Sequence, residues 1–100
     1  MRLGVLMFPT DTAIQPIELA REVEARGFDA LWFPEHSHIP VSRRTPWGGR
    51  EGPPPLPEMY WRTFDPYVML AGIATSTRQL VLGTSVALPA QHDPVALAKQ

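Results

Sequence analysis

Ala30-Leu31-Trp32-Phe33-Pro34-Glu35-His36-Ser37-His38, residues 30–38, is the stretch on which the fold turns. Four apolar residues in a row suit a short strand buried on both faces, as in a parallel sheet. Pro34 ends the run, because it has no N–H to give to a further ladder bond. Polar side chains follow at once, so the chemistry sits at the carboxyl end of a strand.

The same pattern repeats on either side. Upstream, Leu3 to Phe8 is a continuous apolar run broken by Pro9-Thr10-Asp11-Thr12. A helix is expected next, with Pro16 at its first position and Gly27 just past its end. Pro16, Leu19, Ala20 and Val23 would form its buried stripe, with Glu18, Arg21, Glu22 and Arg26 in water. Downstream, Asp65-Pro66 reads as an N-cap and first residue of a second helix. Pro66, Leu70, Ile73, Ala74 and Thr77 are expected on one face of it. Leu80 to Val86 is a third apolar strand, and Asp93-Pro94 opens a third helix that runs to Gln100.

The order is β-α-β-loop-α-β-α, which implies a parallel sheet with right-handed crossovers. The first strand–helix turn, Phe8-Pro9-Thr10-Asp11-Thr12-Ala13, has no glycine-rich phosphate loop, and this argues against an open dinucleotide-binding sheet. The expected fold is α/β, a (β/α)8 TIM barrel. Such a barrel takes about 250 residues. Residues 1–100 are therefore expected to be the N-terminal part of a single barrel domain, its first three βα units, truncated in the third helix. Alone, such a piece is expected not to be a stable monomeric enzyme, since two sheet edges and the barrel interior would lie open.

Composition narrows the function. The 100 residues are 44% apolar and carry a net charge of −1, which gives no support to nucleic-acid or membrane-surface binding. There is no cysteine, so disulfides and thiolate metal sites are excluded within this stretch. No run approaches the roughly 18 apolar residues of a membrane span. A cytoplasmic enzyme acting on a small molecule is the expectation.

Of the 12 prolines, seven lie between Pro34 and Pro57, in a stretch with neither helical nor strand periodicity. Residues 34–64 are read as one long proline-rich active-site loop, stiffened at Pro53-Pro54-Pro55. Loops of this length are usually functional or disordered. Trp47, Tyr60 and Trp61 lie in or beside it and could wall off a pocket.

Glu35, His36 and His38 are the richest cluster. A carboxylate and imidazoles at the mouth of a barrel can do acid–base work near neutral pH. His-x-His in extended chain points both rings one way, so a metal site is an alternative reading, as is a loop that is merely polar. Leu82-Gly83-Thr84-Ser85-Val86 is a second candidate, in which glycine would let a planar ligand approach the backbone. His92 reads as a surface or capping residue.

Several of these motifs together resemble the luciferase-like monooxygenase family and its deazaflavin-dependent branch. They are Gly27-Phe28-Asp29-Ala30-Leu31-Trp32, Trp32-Phe33-Pro34-Glu35-His36, Asp65-Pro66-Tyr67-Val68-Met69-Leu70-Ala71, Leu82 to Val86, His92-Asp93-Pro94 and Ala98-Lys99-Gln100. Pro34-Glu35-His36-Ser37-His38-Ile39-Pro40 is more similar to the deazaflavin branch than to the luciferases, which more often have two adjacent histidines. The resemblance implies a (β/α)8 barrel and hydride transfer between coenzyme F420 and an organic substrate, with FMN-dependent monooxygenation as the alternative. It implies a non-proline cis peptide at Ser85-Val86, forming a bulge against the central ring of the cofactor. Phe8, His36, Ser85 and Val86 would line the cofactor site, and His36 and Glu35 would be catalytic. Glu35 stands where relatives often carry Asp. His38 and Trp47 are assigned to the substrate pocket, no residue to a metal, and a homodimer is the expected assembly. A metal-dependent barrel hydrolase using His36 and His38, or an inactive fragment, are the readings from other classes.

Overall fold

A computed structural model describes residues 1–49 and 55–100. Pro53-Pro54 of the stiff segment lies outside the described residues. Three strands, β1 (Gly4–Leu6), β2 (Ala30–Phe33) and β3 (Val81–Thr84), form one parallel sheet in the order β1-β2-β3. β2 has the expected limits. β1 and β3 are shorter than their apolar runs, and beyond the last bonds to β2, from the Met7 and Ser85 N–H groups, the chain departs from the sheet.

Helix α1 (Pro16–Ala25) starts on its proline, and Gly27 lies just past its end, as expected. Gly27 has φ +77°, and the Gly27 and Phe28 N–H groups donate to Glu24 and Val23 carbonyls at 3.0 and 3.2 Å. These two bonds satisfy carbonyls that the helix end leaves free, and they turn the chain into β2. Helix α2 is a single turn, Met59–Arg62, and α3 is Pro66–Ala74. Asp65 caps α3 by accepting from the Val68 N–H at 2.9 Å. Helix α4 (Pro94–Leu97) is capped in the same way by Asp93, which accepts from Val95 and Ala96.

Leu31 and Phe33 of β2 are fully buried against Ala20 and Val23 of α1 and Met69 and Ile73 of α3. Each such large side chain removed from water contributes about 1.5–3 kcal/mol. Met69, not Ala74, completes the buried face of α3. The exposed Ala74 shows that the stripe is narrower than expected, at i, i+3 and i+7 from Pro66. Both helices therefore pack on one face of the sheet.

The second face carries Gly4, Leu6, Trp32, Val81 and Gly83. Among the described residues nothing covers Leu6 and Val81, which are 52% and 51% exposed. Consecutive parallel strands with helices on one side are what three units of a barrel provide, with this second face toward the interior. Gly83 corrects an expectation here. A Cβ on Gly83 would overlap the indole of Trp32, its register partner, and one on Gly4 would lie 3.0 Å from the indole Nε1. The glycines make room for Trp32 and not for a ligand.

At the amino end of the strands, Glu24 accepts from the Arg78, Gln79 and Leu80 N–H groups at 2.8, 2.7 and 3.1 Å. Those donors, Gln79 first, hold its pKa below the ordinary carboxylate value. These bonds fix the entry to β3, beside a hollow of about 290 Å³. No helix among the described residues is long and apolar enough to cross a membrane.

Candidate active site

The three strand ends converge. Met7 N–H donates to the Trp32 carbonyl at 3.2 Å and Ser85 N–H to the Phe33 carbonyl at 2.8 Å, so the segments that follow β1 and β3 flank the one that follows β2. The Ser85–Val86 peptide is cis, as the resemblance implied. Ser85 and Val86 are exposed, and Val86 presents 69% of its surface.

His36 lies in an aromatic wall. Its ring is stacked on Phe8 with centroids 5.8 Å apart and stands edge-on to Tyr60 at 4.9 Å. Phe8 meets Tyr60 at 5.0 Å, and Trp47 meets Tyr60 edge-on at 6.2 Å. Partial burial pushes the His36 pKa below its ordinary 6.5, against an opposing pull from Glu35. Burial thus favours the neutral imidazole over the charged ring.

Tyr60, expected only as one of three aromatic residues able to wall off a pocket, is the one that meets both Phe8 and His36. The loop was expected to lack periodicity, yet it contains a turn at Trp47–Gly49, the buried Leu56 and the turn of α2. Arg62 of α2 donates to both oxygens of Asp11, at 2.8 and 2.5 Å. Thr10 bridges to Thr63, and the Phe64 N–H donates to the Pro9 carbonyl at 2.9 Å. The end of the loop is thereby pinned onto the β1 mouth, which places Tyr60 over Phe8. Trp61 points away and is 53% exposed.

Glu35 is buried at 4% exposure, with both carboxylate oxygens engaged. One accepts from the Leu88 N–H at 2.6 Å and the other from the His92 ring N–H. His92 is therefore joined to the site rather than placed on the surface, and its ring stands edge-on to Tyr67 of α3 at 5.8 Å. Ser37 donates to Gln91 and lies 2.9 Å from Nδ1 of the exposed His38. A cavity of about 180 Å³ opens between Glu35, His36, Ser37, Thr63, Asp65 and Pro66.

Of the sequence-derived site, Phe8, His36 and Trp47 meet in one wall through Tyr60, and Ser85 lies beside the strand end that carries Glu35 and His36. His38 is outside the wall. Among the described residues no three His, Asp or Glu side chains gather as a metal site would require.

A model of the family described as luciferase-like monooxygenase matches residues 3–100. Proteins described only as uncharacterized, from Mycobacterium bovis and from two strains of Mycobacterium tuberculosis, are 42% identical over 100 residues, 99% of this chain. The chain spans 35% of the length of these relatives. No solved structure matches.

Proposed function

The chain belongs to the luciferase-like monooxygenase family, and on that premise we propose that it forms the first three units of a (β/α)8 barrel whose enzyme transfers a hydride between coenzyme F420 and an organic substrate. The observation that carries this reading is the His36 ring, held between Phe8 and Tyr60 at the strand ends with its neutral form favoured. The choice of F420 over FMN rests on Pro34-Glu35-His36-Ser37-His38-Ile39-Pro40, in which the two histidines after the carboxylate are separated by Ser37 and not adjacent. FMN-dependent monooxygenation is the second reading, favoured by the family's being one of luciferase-like monooxygenases.

The residues present fit the ring end of such a cofactor. A flat, largely apolar ring with a polar rim suits the aromatic wall of Phe8, His36 and Tyr60 and the exposed Val86 of the neighbouring strand end. Phe8, His36, Ser85 and Val86 would hold it, and the bound group would supply the hydride-carrying atom. The rest is the chain's own work. Phe8 and Tyr60 fix the His36 ring against rotation. A neutral imidazole at neutral pH can take up the proton that accompanies hydride removal, or return it. Trp47 and Tyr60 exclude water from that side of the site, and Trp47 and His38 would face the substrate. A homodimer is the expected assembly, checked by sedimentation of the full-length protein.

The reading is tested by titrating the full-length protein with F420 and with FMN while following tryptophan fluorescence. Quenching by F420 at far lower concentration than FMN is the expected result. The reverse preference moves the enzyme to the monooxygenase reading, and binding of neither overturns both.

A further inference from the structure

We propose that Glu35 and His92 are a positioning pair that fixes the seat of the cofactor ring, and that Glu35 does not itself transfer a proton. This rests on the functional reading above for what the seat holds. Glu35 has its two oxygens spent on Leu88 N–H and His92, 53 and 57 residues away in the chain. Four positions separate Leu88 from His92, so one carboxylate holds both ends of the loop that follows Ser85–Val86. That carboxylate is itself fixed by β2, since it lies two residues beyond Phe33, a fully buried residue.

Three further contacts make the pair a joint between elements and not a chance surface contact. Ser37 donates to Gln91 within the same loop. The His92 ring is braced edge-on by Tyr67 of α3, whose hydroxyl pKa is raised by burial and then by Glu35 and Asp65. Ser85 N–H donates to the Phe33 carbonyl at 2.8 Å. The loop after β3 is thus tied to the end of β2 at residue 85 and to the segment after β2 at residues 88, 91 and 92. His36 follows Glu35 directly, so the same carboxylate also sets where the imidazole stands. With each oxygen already accepting one bond and only 4% of the residue exposed, Glu35 is placed to hold the loop and offers little surface to a substrate. Removing one partner would leave the other buried without its hydrogen bond, so the two residues should behave as a unit.

The test uses the full-length protein with Glu35→Gln, His92→Asn and the double variant. Hydrogen exchange of the peptide covering residues 85–92 reads the loop, and fluorescence titration with F420 and FMN reads the seat. Each single variant is expected to speed exchange in that peptide about ten-fold and to raise the dissociation constant about ten-fold, and the double variant to do no more than either single. The pH dependence of turnover should keep its single-imidazole shape because His36 remains, and should move to lower pH in Glu35→Gln because the carboxylate that raises the His36 pKa is gone. Exchange and affinity at wild-type values with turnover lost would overturn the proposal and return Glu35 to proton transfer. Additive losses in the double variant would also overturn it, by showing that the residues act separately. Should Glu35→Gln not fold, Glu35→Asp and His92→Asn carry the same comparison. If the unmodified protein binds neither cofactor, the functional reading fails with the seat, and the exchange rates alone decide whether the pair holds the loop.

Discussion

The imidazole of His36 lies nearly parallel to the ring of Phe8, 12° between planes and 5.8 Å between centroids. Phe8 lies two residues past β1 and His36 three past β2, so the stack bridges the segments that follow two neighbouring strands. Such a pair restrains the imidazole without using either ring nitrogen. Both nitrogens stay available for a proton or a substrate. His36→Ala in the full-length enzyme is expected to lower turnover by about 100-fold or more, the ordinary range for a lost acid–base group, and to change cofactor affinity far less. Steady-state kinetics beside a binding titration checks this, and unchanged turnover would remove His36 from the mechanism.

The direction of the His36 shift also sets a stability window. Its pKa is below 6.5 in the folded protein, chiefly through burial. The unfolded chain therefore binds the proton more readily. Stability is complete above about pH 6.5 and falls as pH drops from there toward the folded-state pKa. In the His36→Gln variant this part of the slope should vanish. Thermal midpoints of the two proteins between pH 5 and 8 measure it, and parallel curves would contradict it.

Tyr60 reaches the wall because Arg62 holds Asp11 through two bonds. The guanidinium lowers the Asp11 pKa, its bond to the carboxylate being the largest cause. This pair is exposed, so its loss should hardly change global stability. It should loosen α2. Asp11→Asn is expected to speed hydrogen exchange in residues 59–63, raise KM several-fold and leave the thermal midpoint within a degree or two. Loss of turnover with KM unchanged would show that the latch does not act on substrate binding.

What the sequence disclosed and what it hid divide along chain separation. β2 was legible because Pro34 bounds an apolar run, and α3 and α4 because Asp65-Pro66 and Asp93-Pro94 state cap and first turn locally. His36 was legible from its place after a strand. Tyr60 was not, since its position depends on a pairing between residues 51 apart, Asp11 and Arg62. The Glu35–His92 contact spans 57 residues and leaves no periodic trace. A histidine before Asp-Pro looks the same whether it faces water or a buried carboxylate. Leu56 lies in a stretch without rhythm, so its burial is decided by neighbours distant in the chain.

Gly83 is the case in which the residue type was read correctly as close approach and assigned the wrong visitor. The register pairs it with Trp32, and the indole fills the space that a side chain would need. Gly83→Ala forces a methyl group into ring atoms flanked on the other side by Gly4, so neither neighbouring strand can give way without moving the sheet. Overpacking of this kind destabilises by about 1–3 kcal/mol. Trp32→Leu alone should also destabilise, by leaving a cavity between the two glycines. If the clash is the cause, the two changes offset each other. The Trp32→Leu/Gly83→Ala protein should then be more stable than the sum of the single losses by at least about 1 kcal/mol, the coupling expected of residues in direct contact. Denaturant unfolding of the four proteins measures that coupling. Strict additivity would mean that the glycine is needed for its backbone, or for something other than Trp32 that approaches it from the uncovered face.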